Sequence, residues 1–332
     1  MDLVNLKNIL RDQPKFRYKQ VEKAIYQELI SDWSEATSLP LALREKLSEE
    51  CSLEIKADLT ESQGTKKALI GLHDGLSIET VLMTHKDGRH TVCVSSQVGC
   101  PMGCLFCATG KLGFKRNLEQ DEIVEQVLYF ARMLKKTDEK ITNIVYMGMG
   151  EPFLNYENVI GSIRFLNSPE TLNLGARRFS ISTAGVTHGI RKLANENLEV
   201  NLAFSLHAPN ESLRTEIMPI NKKYSLLKVL KTIDEYIEIT HRRVMFEYVM
   251  IKDLNDTTVH AKQLAKLIRG RLGFVNLIAY NKTSMFEPST SETIKKFREI
   301  LEKEKISVVQ RHAFGQGIDA ACGQLSGKKK IR

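Results

Sequence analysis

The chain of 332 residues has no apolar run near the roughly 18 residues that a membrane-spanning helix needs. Its first twenty residues, MDLVNLKNILRDQPKFRYKQ, interleave charges throughout and lack the unbroken apolar core of a secretion signal. A cytoplasmic protein without a membrane partner is therefore expected. There is no low-complexity segment and no repeat. Charge of one sign is not dominant either: 48 Lys+Arg face 40 Asp+Glu, a net +8, and Lys328, Lys329, Lys330 and Arg332 supply part of that. An excess this small permits an RNA partner without requiring one. With 42% apolar and 27% charged residues, the composition excludes a disordered chain, a collagen-like repeat and a coiled coil. The length suits about two domains, or one α/β barrel that absorbs most of the chain.

What is present falls into two rhythms. In the first fifty residues Phe16, Val21, Ala24, Ile25 and Leu29 recur at roughly helical spacing, Leu39-Pro40 breaks the pattern, and LALREKLSEE resumes it. This predicts a small helical accessory domain over 1–52. Residues 53–90 read as a linker with short strands, KALIGL and IETVLM among them, and turns at 73–75 and 87–88. From 91 to 325 short β-rich runs (91–96, 141–148, 178–185, 200–207, 244–251, 275–281 and 306–312) alternate with helical segments. Strands alternating with helices imply a parallel sheet with right-handed crossovers, and this many units suit a full or partial TIM-like (β/α) barrel. Chemistry in such barrels sits at the C-terminal ends of the strands. Residues 326–332 form a basic tail.

Six cysteines are present, and Cys100, Cys104 and Cys107 fall within eight residues as C-x3-C-x2-C, just after the first barrel strand. In a chain without a secretion signal, such a group points to a metal or redox site before a disulfide framework. Zinc sites usually combine paired cysteine elements into four ligands. Here no second cluster follows. Three thiolates would leave one iron of a 4Fe–4S cluster open to a substrate or cofactor. Gly99, Gly103 and Gly110 would let the backbone wrap closely, and Phe106 would shield one face. A Cys3His zinc site and three buried thiols remain open as alternatives on spacing alone.

The wider strings carry more. CVSSQVGCPMGCLFCATG, MGMGEPFLN, SLHAPNESLR, MPINKKY, EYVMIKDLND and IDAACGQL run in order through the chain. Together they resemble the RlmN/Cfr family of radical S-adenosylmethionine (SAM) RNA adenosine methyltransferases, over about residues 16 to 327. The resemblance implies that Cys100, Cys104 and Cys107 hold a 4Fe–4S cluster, whose open iron binds the amino and carboxylate groups of SAM. Reduction of SAM then yields a 5′-deoxyadenosyl radical. It also implies that Cys322 is methylated by one SAM, loses a hydrogen to the radical made from a second, and attacks the adenine ring. Cys93 then resolves the protein–RNA adduct by a disulfide with Cys322. Glu79 matches the family's general base. The implied SAM contacts are Gly150, Glu151, Ser182, Ser205, Leu206, His207 and Asn281. Glycine allows close backbone approach and the carboxylate can accept from the SAM ammonium. Taken alone, Cys93 and Cys322 would read as core cysteines and His207 as a satisfied barrel histidine; Cys51 matches no motif and is read as structural.

The implied substrate is an adenosine in the peptidyl-transferase loop of 23S rRNA, with the adenosine beside the anticodon in tRNA as a second. The implied reductant is a donor such as flavodoxin, and the implied state a monomer. Lys15, Arg17, Lys19 and Lys23, Arg177 and Arg178, and Arg242 and Arg243 are candidate RNA contacts or equally solvated faces. The residue after GMGE is Pro152, which resembles the carbon-2 branch; carbon-8 methylation, the resistance branch, is the main alternative. Another radical SAM substrate, or a zinc-bearing RNA-binding module, are the remaining readings. Three positions depart from the family pattern: an extra residue around 86–88, Gly317 where an acidic residue is usual, and Lys282 where proline is common.

Overall fold

The computed structural model describes residues 1, 3–283, 285–311 and 314–327; the basic residues Lys328, Lys329, Lys330 and Arg332 lie outside the described residues. Strands β1 (Ala57–Ser62), β2 (Thr65–Gly71), β3 (Ser77–Thr84) and β4 (His90–Cys93) form an antiparallel meander. A separate hairpin of β5 (Gln97–Gly99) and β6 (Phe114–Asn117) follows. Then β7 (Asn143–Tyr146), β8 (Phe179–Thr183), β9 (Asn201–Ser205), β10 (Val244–Met250), β11 (Gly273–Ala279) and β12 (Val308–Arg311) extend the sheet from β4, each parallel to the last. The order in space is β1-β2-β3-β4-β7-β8-β9-β10-β11-β12. The seven β-rich runs read from the sequence are the seven parallel strands, and they make an α/β partial barrel. Among the described residues β12 pairs only with β11, so the barrel stays open.

Helices cover the outer face. Gln120–Lys135 starts with a capping box between Glu119 and Glu122 and buries Ile123, Val127, Phe130 and Leu134 on one stripe. Leu226–Thr240 does the same with Leu226, Val229, Leu230 and Ile233, and stops where His241 turns left-handed at φ 52°. Residues 53–90, expected as a linker with short strands, carry β1, β2 and β3, which join the main sheet. Buried side chains explain why: β2 and β3 carry Ala68, Leu69, Ile70, Ile78, Val81 and Leu82, which need a sheet to cover them.

At the N-terminal side lie helices Leu3–Leu10, Lys15–Glu22 (widening into a π turn over Lys23–Gln27) and Leu41–Glu50. Val21, Ala24 and Ile25 are buried as their spacing suggests, but Phe16 is 55% exposed, with the Arg17 guanidinium 4.7 Å from its ring centre. Five residues advance a helix by about 500°, so Phe16 lies about 140° round from Val21 and misses the buried stripe. Trp33 fills the small core and donates from Nε1 to the Cys51 carbonyl at 2.6 Å. That core is continuous with the barrel: Tyr26 meets Phe165 edge-on at 4.7 Å.

Candidate active site

Cys100, Cys104 and Cys107 occupy the loop that the β5–β6 hairpin closes at its base. Gly99 sits where a Cβ would come 1.9 Å from the Gly113 carbonyl, so only glycine allows the two arms to meet. Cys100 N–H donates to that carbonyl at 2.9 Å, and Cys107 N–H to Cys104 O at 3.1 Å. All three cysteines line one cavity. Burial pushes the thiols of Cys100 and Cys104 up, Cys100 to about 12, and each is pushed further by its neighbouring cysteines. Thiols in such a setting stay protonated until a metal takes the proton's place. Among the described residues no group of three His, Cys, Asp or Glu side chains is arranged to hold a single metal ion. Three thiols lining one cavity match the three protein ligands that a cluster with one open iron needs.

The facing wall comes from the C-terminal ends of β7 to β11. The turn after β7 is stapled to residues 94–97: Gly148 N–H donates to Val94 O at 3.1 Å, and Glu151 N–H to Gln97 Oε1 at 2.9 Å. Gly150 takes φ 105° with its Cα against Gln97, where a Cβ would fall 2.6 Å from that side chain. Glu151 is buried in the cavity wall, accepting from Ala184 N–H at 2.7 Å and Phe153 N–H at 3.2 Å; burial pushes its pKa up to about 7. A carboxylate so placed favours a cationic guest. Ser182 and Ser205, on adjacent strands, share a hydrogen bond at 3.1 Å at the cavity wall. His207 also lines it, in the left-handed region at φ 57°; its Nδ1 accepts from Val249 N–H at 3.2 Å, which leaves the proton of the neutral ring on Nε2. Asn281 lines the cavity and donates to Cys322 O at 3.2 Å. Leu206 does not line it. Its side chain is core, its N–H donates to Glu247 O, and its carbonyl accepts from Arg214.

A second cavity adjoins the first and is lined by both Cys93 and Cys322. Cys107, Gly148, Asn281, Arg311 and Cys322 line both cavities. Cys93 is buried and Cys322 exposed, and the two are thiols, not joined to one another. Cys93 lies opposite Val81 in the β3–β4 register, and Glu79, two residues earlier on β3, faces the same way. Glu79 is buried and engaged: Lys67 Nζ pairs with it at 3.0 Å, and Ser326 and Gly327 N–H groups donate to it at 2.6 and 3.1 Å. The segment carrying Cys322 is thereby fastened to β3. It is fastened to the cluster loop as well, through Thr109 Oγ1 to Leu325 O at 2.6 Å and Ala108 N–H to Gly323 O at 2.7 Å.

Comparison with known proteins gives the family. Residues 94–265 match the radical SAM superfamily. A protein of Dictyoglomus turgidum named "Probable dual-specificity RNA methyltransferase RlmN" is 46% identical over 330 residues, covering 98% of this chain and 94% of its own. One of the same name from Geobacillus kaustophilus is 44% identical over 327 residues, covering 97% and 89%. The chain belongs to the RlmN family of radical SAM proteins. A solved radical SAM methyltransferase from Sphaerobacter thermophilus superposes with a TM-score of 0.91 at 41% identity, covering 99% of this chain and 98% of that one. Membership in the RlmN family brings the 4Fe–4S cluster and SAM as cofactors, and the three-thiol cavity with its buried carboxylate fits both.

Two charged side chains of the cavity walls, Glu247 and Arg311, escaped sequence reading. Glu247 is buried in the cavity wall, takes bonds from Asn276 Nδ2 at 3.1 and 3.0 Å, and lies 3.9 Å from Arg311. Arg311 lines both cavities and sits beside Cys93 and Cys322. A charge inside the apolar run VMFEYVMI was the available signal for Glu247. The departures are mild: Gly317 is exposed in a short turn at Gln316–Ile318, Lys282 pairs with Glu287, and the residues around 86–88 fall in the β3–β4 turn. Among the expected RNA contacts, Arg177 pairs with Glu199 at 2.9 Å, Lys23 with Glu28 at 3.4 Å, and Arg242 bonds Asn201.

Proposed function

We propose that this chain methylates carbon 2 of an adenosine in the peptidyl-transferase loop of 23S rRNA, and of the adenosine beside the anticodon in tRNA. The observation that carries the reading is the meeting of Cys93 and Cys322, from opposite ends of the sheet domain, on a cavity that shares Cys107 with the cluster cavity. The names of the relatives support an RNA substrate. Carbon 2 of adenine is neither nucleophilic nor acidic, so direct displacement on SAM cannot methylate it; the cofactors carry the hard chemistry and the protein supplies placement.

Cys100, Cys104 and Cys107 would hold the cluster; Glu151, Ser182, Ser205, His207 and Asn281, with the backbone at Gly150, would hold SAM. When bound, the two supply one-electron chemistry that breaks an unactivated C–H bond. The remaining work belongs to the chain. Cys322 carries the incoming carbon as a thioether, on a segment fixed to both cavities. Glu79 accepts the proton leaving the ring carbon once its bonds to Ser326 and Gly327 open. Cys93 then gives up its thiol proton and its Sγ attacks Cys322 Sγ: the S–S bond forms, the S–C bond breaks, its electron pair goes to the carbon on the base, and that carbon takes up one proton to complete the methyl group. An adenosine in folded RNA must be extruded to reach the cavity. Exposed Lys15, Lys19 and Lys23 on the N-terminal helices are the proposed grip. We place the enzyme in the cytoplasm as a monomer served by a donor such as flavodoxin; no helix is long and apolar enough to cross a membrane among the described residues.

Nucleoside mass spectrometry tests the reading. The chain is reconstituted anaerobically with iron, sulfide, SAM and reductant and given unmodified 23S rRNA and tRNA. 2-Methyladenosine is expected. 8-Methyladenosine would move the chain to the other branch, and SAM cleavage without either product would remove the substrate assignment.

A further inference from the structure

Arg214 ends the string SLHAPNESLR, and nothing above uses its charge. It lies on the short helix Glu211–Ile217 and is 0% exposed. Its guanidinium makes four hydrogen bonds, all to neutral groups. Nε donates to Leu206 O at 3.2 Å and Nη1 to Asn221 Oδ1 at 2.7 Å. Nη2 donates to Ala184 O at 2.7 Å and Ser205 O at 3.1 Å. Among the described residues no carboxylate lies within ion-pair distance of it. Glu211, one turn earlier, spends its carboxylate on Asn221 Nδ2 at 2.6 Å and Leu227 N–H at 3.0 Å. A buried cation without an anion is among the costliest arrangements in a protein interior.

Its surroundings supply the missing anion. Ala184 and Ser205, whose carbonyls take Nη2, both line the cavity of the three cysteines. The next turn of chain reaches the cysteine loop itself: Leu105 N–H, beside Cys104, donates to Ile217 O at 3.0 Å, and Met218 lines the cavity. Arg214 is fully buried behind this wall, and Cys104 is half-buried on the cavity side of it. We propose that Arg214 is the fixed countercharge of the iron–sulfur cluster, set behind Cys104, and that it raises the cluster's one-electron reduction potential. A thiolate-ligated cluster gains one negative charge on reduction, and a cation held in low dielectric favours that state. The ligation stays with the cysteines; Arg214 acts through the field. This rests on the cluster assignment and not on the RNA substrate.

The test is an EPR-monitored redox titration of the reconstituted full-length chain, with iron and sulfide content and melting temperature measured alongside. Arg214→Gln is expected to bind a full cluster and to shift the reduction equilibrium at least tenfold toward the oxidised form, a fall of about 59 mV for one electron. Arg214→Lys, which keeps the charge and loses the fork, is expected to stay near the wild-type midpoint. Where Arg214→Gln does not fold, the double variant Glu211→Gln/Asn221→Asp is read instead. It keeps the net charge but moves the carboxylate against Nη1, and the midpoint is again expected to fall. A wild-type midpoint in a cluster-loaded Arg214→Gln, equal shifts in the Gln and Lys variants, or an unmoved midpoint in the double variant overturns the proposal. Absence of iron and sulfide from the wild-type chain would instead bring down the cluster assignment.

Discussion

Cys93 and Cys322 differ in exposure, and the difference matches their proposed tasks. Cys322, exposed on its turn, can meet a base; Cys93, buried on β4, is reached only from within the cavity. Cys322→Ala is expected to abolish methyl transfer while iron content stays at the wild-type level; turnover in that variant would sink the thioether route. Cys93→Ala is expected to accumulate RNA-linked protein, visible as a shifted band on a denaturing gel. His207 gives a prediction about pH. Burial, with help from the nearby Arg214, lowers its pKa from 6.5 to about 3. Between those values the unfolded chain binds a proton that the folded chain refuses, so stability is lost as pH falls below 6.5. From pH 7.5 to 5.5 this amounts to about 1.4 kcal/mol. His207→Asn, compatible with the left-handed backbone, should lose about that much less in urea denaturation of the cluster-free chain. Equal losses in both proteins would contradict the assignment.

At the scale of elements, the β5–β6 hairpin is the part that holds the cysteine loop to the barrel. Arg116 on β6 donates two parallel bonds to Glu122 at 2.7 and 2.8 Å and pairs with Asp74 in the β2–β3 turn at 2.5 Å. One side chain thus joins hairpin, meander and the start of helix Gln120–Lys135. Arg116→Ala is expected to cost about 1–3 kcal/mol in the urea midpoint and to reduce iron retention after gel filtration. Unchanged iron retention would show that the glycine closure at Gly99 suffices. The sequence made the parallel strands legible because Val, Ile and Phe concentrate in short runs between turn residues. The hairpin was not legible: FKRN, the content of β6, is mostly polar and carries no alternation. The cysteine spacing and the strings around it pointed to the loop, Glu151 and Asn281. Glu247, Arg311 and Arg214 were hidden because a single buried charge has no period, and some of the groups that enclose it arrive from distant strands and loops, as Asn276 does for Glu247, 29 residues away, and Ala184 for Arg214, 30 residues away.

Across the whole molecule, the apolar core runs unbroken from the N-terminal helices through the barrel, and the cysteine loop sits at its rim in a separate small group with Ala208, Ile217 and Met218. Folding therefore does not depend on the cluster. Iron removal by a chelator is expected to leave far-UV circular dichroism unchanged and to lower the melting temperature by only a few degrees; a random-coil spectrum would show that the metal organises more than its loop. The spatial order of the ten strands has a further consequence. Each strand of the sheet lies beside the one that precedes it in the main sheet's sequence order, and none is inserted between two already paired. A ribosome can thus deliver the sheet edge to edge, every new strand finding its template already in place. The cluster cavity takes shape as β7 to β11 arrive, and Cys322 is added only after β12. During synthesis the place for the radical chemistry is built before the thiol that will carry the methyl group.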